Sequence, residues 1–125
     1  MKSKNFIISY QVYPFDVMVS MGETDKQITR KLKSRLPEKC HDDIKQVYFN
    51  SDSNQGRCVQ VPNGATVIRL REIPKSPEQY GFLHHEIFHA VEFLMQRIGV
   101  NYDMESSETW AYLIGYLTEQ IYKRL

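Results

Sequence analysis

The sequence predicts an α+β fold: one domain, residues 1–125, with a small mixed or antiparallel sheet packed on helices. Three observations predict it. Runs rich in Ile, Val, Tyr and Phe occupy the first twenty residues and recur on both sides of an Asn63-Gly64 turn signal. A capped amphipathic segment lies between them, and two long helical segments close the chain. The resulting order is β, β, α, β-hairpin, long α, long α. At 125 residues the chain has the length of one domain with a modest core.

Phe6 to Tyr13 reads as the first strand, and Pro14 interrupts it. Phe15 to Ser20 alternates and reads as a second strand or a bent continuation, ended by Gly22. Thr24 or Asp25 caps a helix reaching about Leu36 and closed by Pro37. Ile28, Leu32 and Leu36 form its apolar stripe. Lys26, Arg30, Lys31, Lys33 and Arg35 form a face expected to be solvated, because no aromatic platform interleaves the charges. His41-Asp42-Asp43 is expected to be a turn or short helix rather than a metal cluster, and 50–56 a polar loop. Gly56 to Val61 and Ala65 to Glu72 pair as a hairpin about the Asn-Gly turn.

The next helix has both its ends written in the sequence. Ser76 is the cap, Pro77 the first helical residue, Gln79 the capping-box partner and Gly99 the stop. Pro77 to Ile98 is 22 residues, about 33 Å of helix. Stepped at about 100° per residue, Leu83, Ile87, Phe88, Ala90, Val91, Leu94, Met95 and Ile98 form a core-facing stripe. His84 falls within it and reads as a core or supporting histidine. His85, Glu86 and His89 cluster off the stripe.

Those three residues spell His-Glu-x-x-His, the pattern of zinc hydrolases. Residues four apart share a helix face, so two imidazoles can reach one ion while Glu86 handles a proton. A shuffled chain of this composition would contain the pattern about 1% of the time, so its helical setting and a third ligand must carry the argument. A catalytic zinc takes three protein ligands and keeps one place open.

The last helix is expected from an Asp103 cap to about Arg124, antiparallel to the previous one after a short link at 99–103. Trp110, Leu113, Ile114, Leu117 and Ile121 form its apolar stripe, with Glu108 opposite. Ala111 and Gly115, on Glu108's side, are expected to permit close helix approach. Eighteen residues separate His89 from Glu108. With His85, Glu86, His89 and Glu108 so spaced, the chain resembles the gluzincin metallopeptidases, whose pattern is HExxH followed by a Glu on the next helix. The resemblance covers residues 76–125. Ser107 stands where many members have Asn, and Tyr112 where some have an Asp that orients a zinc histidine. The metzincin continuation is absent: Glu92 replaces its Gly and Met95 its third His. The Trp110-Ala111-Tyr112-Leu113 ending also resembles small bacteriophage-encoded proteins.

The resemblance implies a zincin-type active-site helix, then an antiparallel C-terminal helix carrying the third ligand. It implies Zn²⁺ held by His85, His89 and Glu108, with Glu86 as general base. It also implies a peptide or protein substrate extended along a sheet edge, at strand Thr66–Arg71 or its neighbour. Glu105, one turn away, is the alternative third ligand, and Glu92 is expected to face solvent. Tyr102, Tyr112 and Tyr116 are the available oxyanion donors. Arg69 and Arg71 are either contacts for a substrate carboxylate or ordinary surface arginines. Two His and a carboxylate also suit Fe²⁺.

A net charge of +1 gives no argument for a nucleic-acid partner. No apolar run reaches membrane-spanning length, and the N-terminus reads as a strand rather than a signal peptide. Two widely spaced cysteines, Cys40 and Cys58, fit reduced thiols and a cytoplasmic location. Three readings follow: a zinc peptidase or amidase, a zinc-stabilised interaction protein without turnover, or an α+β domain with a chance motif.

Overall fold

The computed structural model describes residues 2–62 and 64–125. The chain is α+β. Four strands, β1 (Lys4–Ser9), β2 (Asp16–Met21), β3 (Gly56–Gln60) and β4 (Thr66–Leu70), form a sheet ordered β1-β2-β4-β3. The sheet is mixed: β1–β2 and β3–β4 are antiparallel, β2–β4 parallel. The parallel crossover from β2 to β4 contains α1 (Asp25–Arg35), a 3-10 helix (Glu38–Val47) and β3. The chain closes with α2 (Pro77–Ile98) and α3 (Ser107–Tyr122).

Alternation along the strands sends side chains to two cores. Val17, Val19, Met21, Ile68 and Leu70 join Leu83, Ile87, Ala90, Val91, Leu94 and Met95 of α2 and Trp110, Leu117 and Ile121 of α3. Met18, Val59 and Val67 face the other way, onto Ile28 and Leu32 of α1 and Cys40, Ile44 and Val47 of the 3-10 helix. Helices therefore cover both faces of the sheet. Among the described residues, no helix is long and apolar enough to cross a membrane.

Most elements lie where the sequence puts them, with three corrections. The first strand stops at Ser9. Gln11 takes a positive φ of 66°, so the chain turns at 10–14 and β2 is a separate strand. The hairpin forms, but its Asn63 lies outside the described residues. Asp103 does not cap α3 directly. It caps a preceding turn, its Oδ1 accepting from the Ser106 amide at 2.8 Å, and the helix begins at Ser107. Finally, Ala111 and Gly115 are exposed, and a side chain at Gly115 would meet no atom within 4 Å. α3 approaches α2 through its large residues instead. Tyr122, at the end of α3, meets Tyr80 and His84 in the first half of α2, and Trp110 meets Phe88. The two helices thus run antiparallel.

Candidate metal centre and its cleft

Helix α2 is held at its start by a reciprocal cap. The Gln79 amide donates to Ser76 Oγ at 3.2 Å, and the Ser76 amide to Gln79 Oε1 at 3.2 Å. Gly99 ends it in the left-handed region at φ 77°, where a side chain would be strained. His85, Glu86 and His89 therefore stand on a continuous helix of fixed phase.

His85 and His89 meet: their Nε2 atoms are 3.2 Å apart and their rings 4.8 Å centre to centre. Two nitrogens bound tetrahedrally to one zinc at about 2.0–2.1 Å would be about 3.3 Å apart. The imidazole pair therefore fits an ion. His89 Nδ1 is in turn 3.0 Å from Glu92 Oε1. Glu92, read from sequence as solvent-facing, is only partly exposed and engaged with the motif.

Glu86 is buried at 7% exposure rather than clear of the core. The cause is β3, which packs over it at Gly56. A Cβ at Gly56 would lie 3.1 Å from Glu86 Oε2 and 3.0 Å from Leu70 Cδ2, so a side chain there would press on both. Burial raises the Glu86 carboxyl above its ordinary value, and attraction to His85, His89 and Arg57 only partly offsets it. Cys58, two residues along β3, also lies beside the motif. Burial first, then the Glu86 and Glu92 carboxylates, push its thiol well up, so it stays protonated. Both cysteines are free.

An open cleft of about 840 Å³ runs between the loop Ser53–Gly56 and the first half of α2, with Phe82, His85 and Glu86 in its wall. The sheet edge beside it is β3. Strand β4 is interior, paired on both sides, so Thr66–Arg71 cannot take up a further strand. The Arg71 amide donates to Gln55 O and the Val61 amide to Ala65 O. Alternation of the ladder then turns the backbone groups of Gly56, Cys58 and Gln60 outward. Asn54 Nδ2 donates to Gly56 O at 3.0 Å.

Other predicted residues stand elsewhere. Glu108 lies exposed in the first turn of α3, and Glu105 in the turn before it. Among the described residues, no three or more His, Cys, Asp or Glu side chains are gathered for a metal ion. On α3, Trp110 is buried and Glu108, two residues earlier, is exposed. Tyr102 and Tyr112 are exposed at 64% and 74%, and Tyr116 donates to Ser9 O at 2.7 Å. None of the three lines the cleft.

His84 is not a core residue. It is exposed, with Nε2 2.8 Å from the Tyr122 hydroxyl, because α3 crosses that side of α2 at its surface. Phe88, also placed in the stripe, is 43% exposed and rests against Trp110 and His89. Arg69 is neither at the surface nor in the cleft. It is 2% exposed and donates to Asp25 Oδ1, Val47 O and Glu23 O. Arg71 donates to Asn54 O and Ser51 O, and both guanidiniums lie 4.3 Å from the Phe49 ring centre. His41 bonds Leu36 O, a structural role.

The Glu92 contact was readable in principle as an i, i+3 pair. The Gly56 and Cys58 contacts were not, since they depend on where the sheet meets α2. The chain matches no known protein family, no curated protein and no solved structure.

Proposed function

We propose that this chain is a zinc-dependent, metallopeptidase-like hydrolase that cleaves a peptide or amide bond. The observation that carries the reading is the imidazole pair, 3.2 Å apart at Nε2, beside a buried glutamate on the wall of an open cleft. His85 and His89 would hold the ion, with Glu108 as the third ligand that the gluzincin resemblance implies. Zinc supplies Lewis acidity, acidifying water and polarising a carbonyl. Glu86 acts on protons: it accepts one from the attacking water and delivers it to the leaving amine. Its raised affinity for a proton suits both halves of that task. An extended substrate would lie along β3, pairing with the outward backbone groups of Cys58 and Gln60. Two free thiols suit a reducing, cytoplasmic setting.

A second reading, a zinc-stabilised interaction protein without turnover, is favoured by one specific observation. Among the described residues, no tyrosine lines the cleft to serve as an oxyanion donor. Elemental mass spectrometry and a peptide-library assay separate the two. About one zinc per chain is expected, lost in His85→Ala and His89→Ala and weakened in Glu108→Ala. Glu86→Gln is expected to keep the zinc and abolish hydrolysis. Zinc without hydrolysis in the unsubstituted chain selects the second reading. No uptake of metal on titration removes both.

A further inference from the structure

We propose that Glu92 is a positioning residue that sets the His89 imidazole for the metal. The inference rests on the metal reading above. Glu92 Oε1 lies 3.0 Å from His89 Nδ1. An ionised carboxylate can only accept, so the His89 proton sits on Nδ1 and its Nε2 carries the lone pair. That Nε2 is 3.2 Å from His85 Nε2, which must then be the donor. In the metal-free chain the two histidines are therefore different tautomers. His89 is already in the form that ligates through Nε2. His85 holds a proton where an ion would sit, and ligation shifts that proton to Nδ1.

A carboxylate behind a ligating imidazole fixes its orientation and raises its basicity. Here it comes from the same helix, one turn on. Tyr112, at the position where some gluzincins carry an orienting Asp, is 74% exposed and offers no carboxylate. The Phe88 ring lies 6.0 Å from that of His89, centre to centre and edge to face.

The test begins with the metal-free chain at alkaline pH. A long-range ¹H–¹⁵N spectrum is expected to show His89 protonated at Nδ1 and His85 at Nε2. In Glu92→Ala the His89 signature should be lost. Zinc affinity, read by competition with a chromophoric chelator, should fall about 10- to 100-fold with the melting temperature unchanged. Glu92→Gln, whose amide oxygen still accepts, should keep the signature and lose less affinity. Finding His89 protonated at Nε2 in the unsubstituted chain would overturn the proposal. So would a Glu92→Ala chain with unchanged tautomer or unchanged zinc affinity. If the unsubstituted chain takes up no zinc, the metal reading fails and the proposal with it; zinc uptake unaffected by Glu92→Ala overturns the proposal alone.

Discussion

Glu23 and Glu86 are both buried, yet their carboxyls are pushed in opposite directions. Burial raises each. At Glu23 it is outweighed by hydrogen bonds from Lys31, Asn5 and Ser20, so the group is held below its ordinary value. Glu86 has only the through-space pull of His85, His89 and Arg57, and burial prevails. Direct donors decide the sign. Because Glu23 binds protons less readily folded than unfolded, it stabilises the fold above the ordinary glutamate range near 4.5. That contribution is lost as pH falls through its depressed folded value. Denaturation midpoints measured down the acid range should therefore drop through this window, and Glu23→Gln should flatten that limb while lowering stability at neutral pH. Neither shift was legible in the sequence, since Asn5 and Lys31 reach Glu23 from separate elements. The imidazole pair was legible, because a four-residue helical spacing fixes it locally.

At the level of elements, legibility followed the range of the cause. Both capped helices begin where a Thr or Ser is followed three residues later by Gln: Thr24 with Gln27, Ser76 with Gln79. These signals are complete within four residues. The Gln79 side chain also accepts from the Lys75 amide and donates to Glu72, tying the cap to the incoming chain. Ser76→Ala should cost about 1 kcal/mol, read as a shift in urea midpoint at unchanged slope. Where a boundary or face depends on a distant partner, the sequence misled. His84 and Phe88 have core-like helical phase, but the crossing of α3 leaves both at the surface. An eighteen-residue spacing reports that a second helix follows, not the phase in which it meets the first.

For the molecule as a whole, the α+β class was readable from element order, whereas the strand order was not. Hairpin neighbours are announced by turns; the parallel β2–β4 pairing is announced by nothing local. The metal reading makes a prediction at this scale. Zinc at a hundred times its dissociation constant should add about 2.7 kcal/mol to the folded state. That is roughly 10 °C in Tm for a chain of this size, read by scanning calorimetry, with no shift expected in His85→Ala.

The central place of β4 has a consequence for how the chain is made. β4 separates β2 from β3, and its Arg69 ties the start of α1 to the end of the 3-10 helix through Asp25, Glu23 O and Val47 O. During synthesis β1, β2, α1 and β3 all leave the ribosome before the strand that unites them. Until Leu70 emerges, β2 and β3 lack the strand that joins them, and Arg69 is not yet there to tie α1 to the 3-10 helix. The sheet is therefore completed by an insertion: β4, the last strand in the sequence, lies between two strands that precede it.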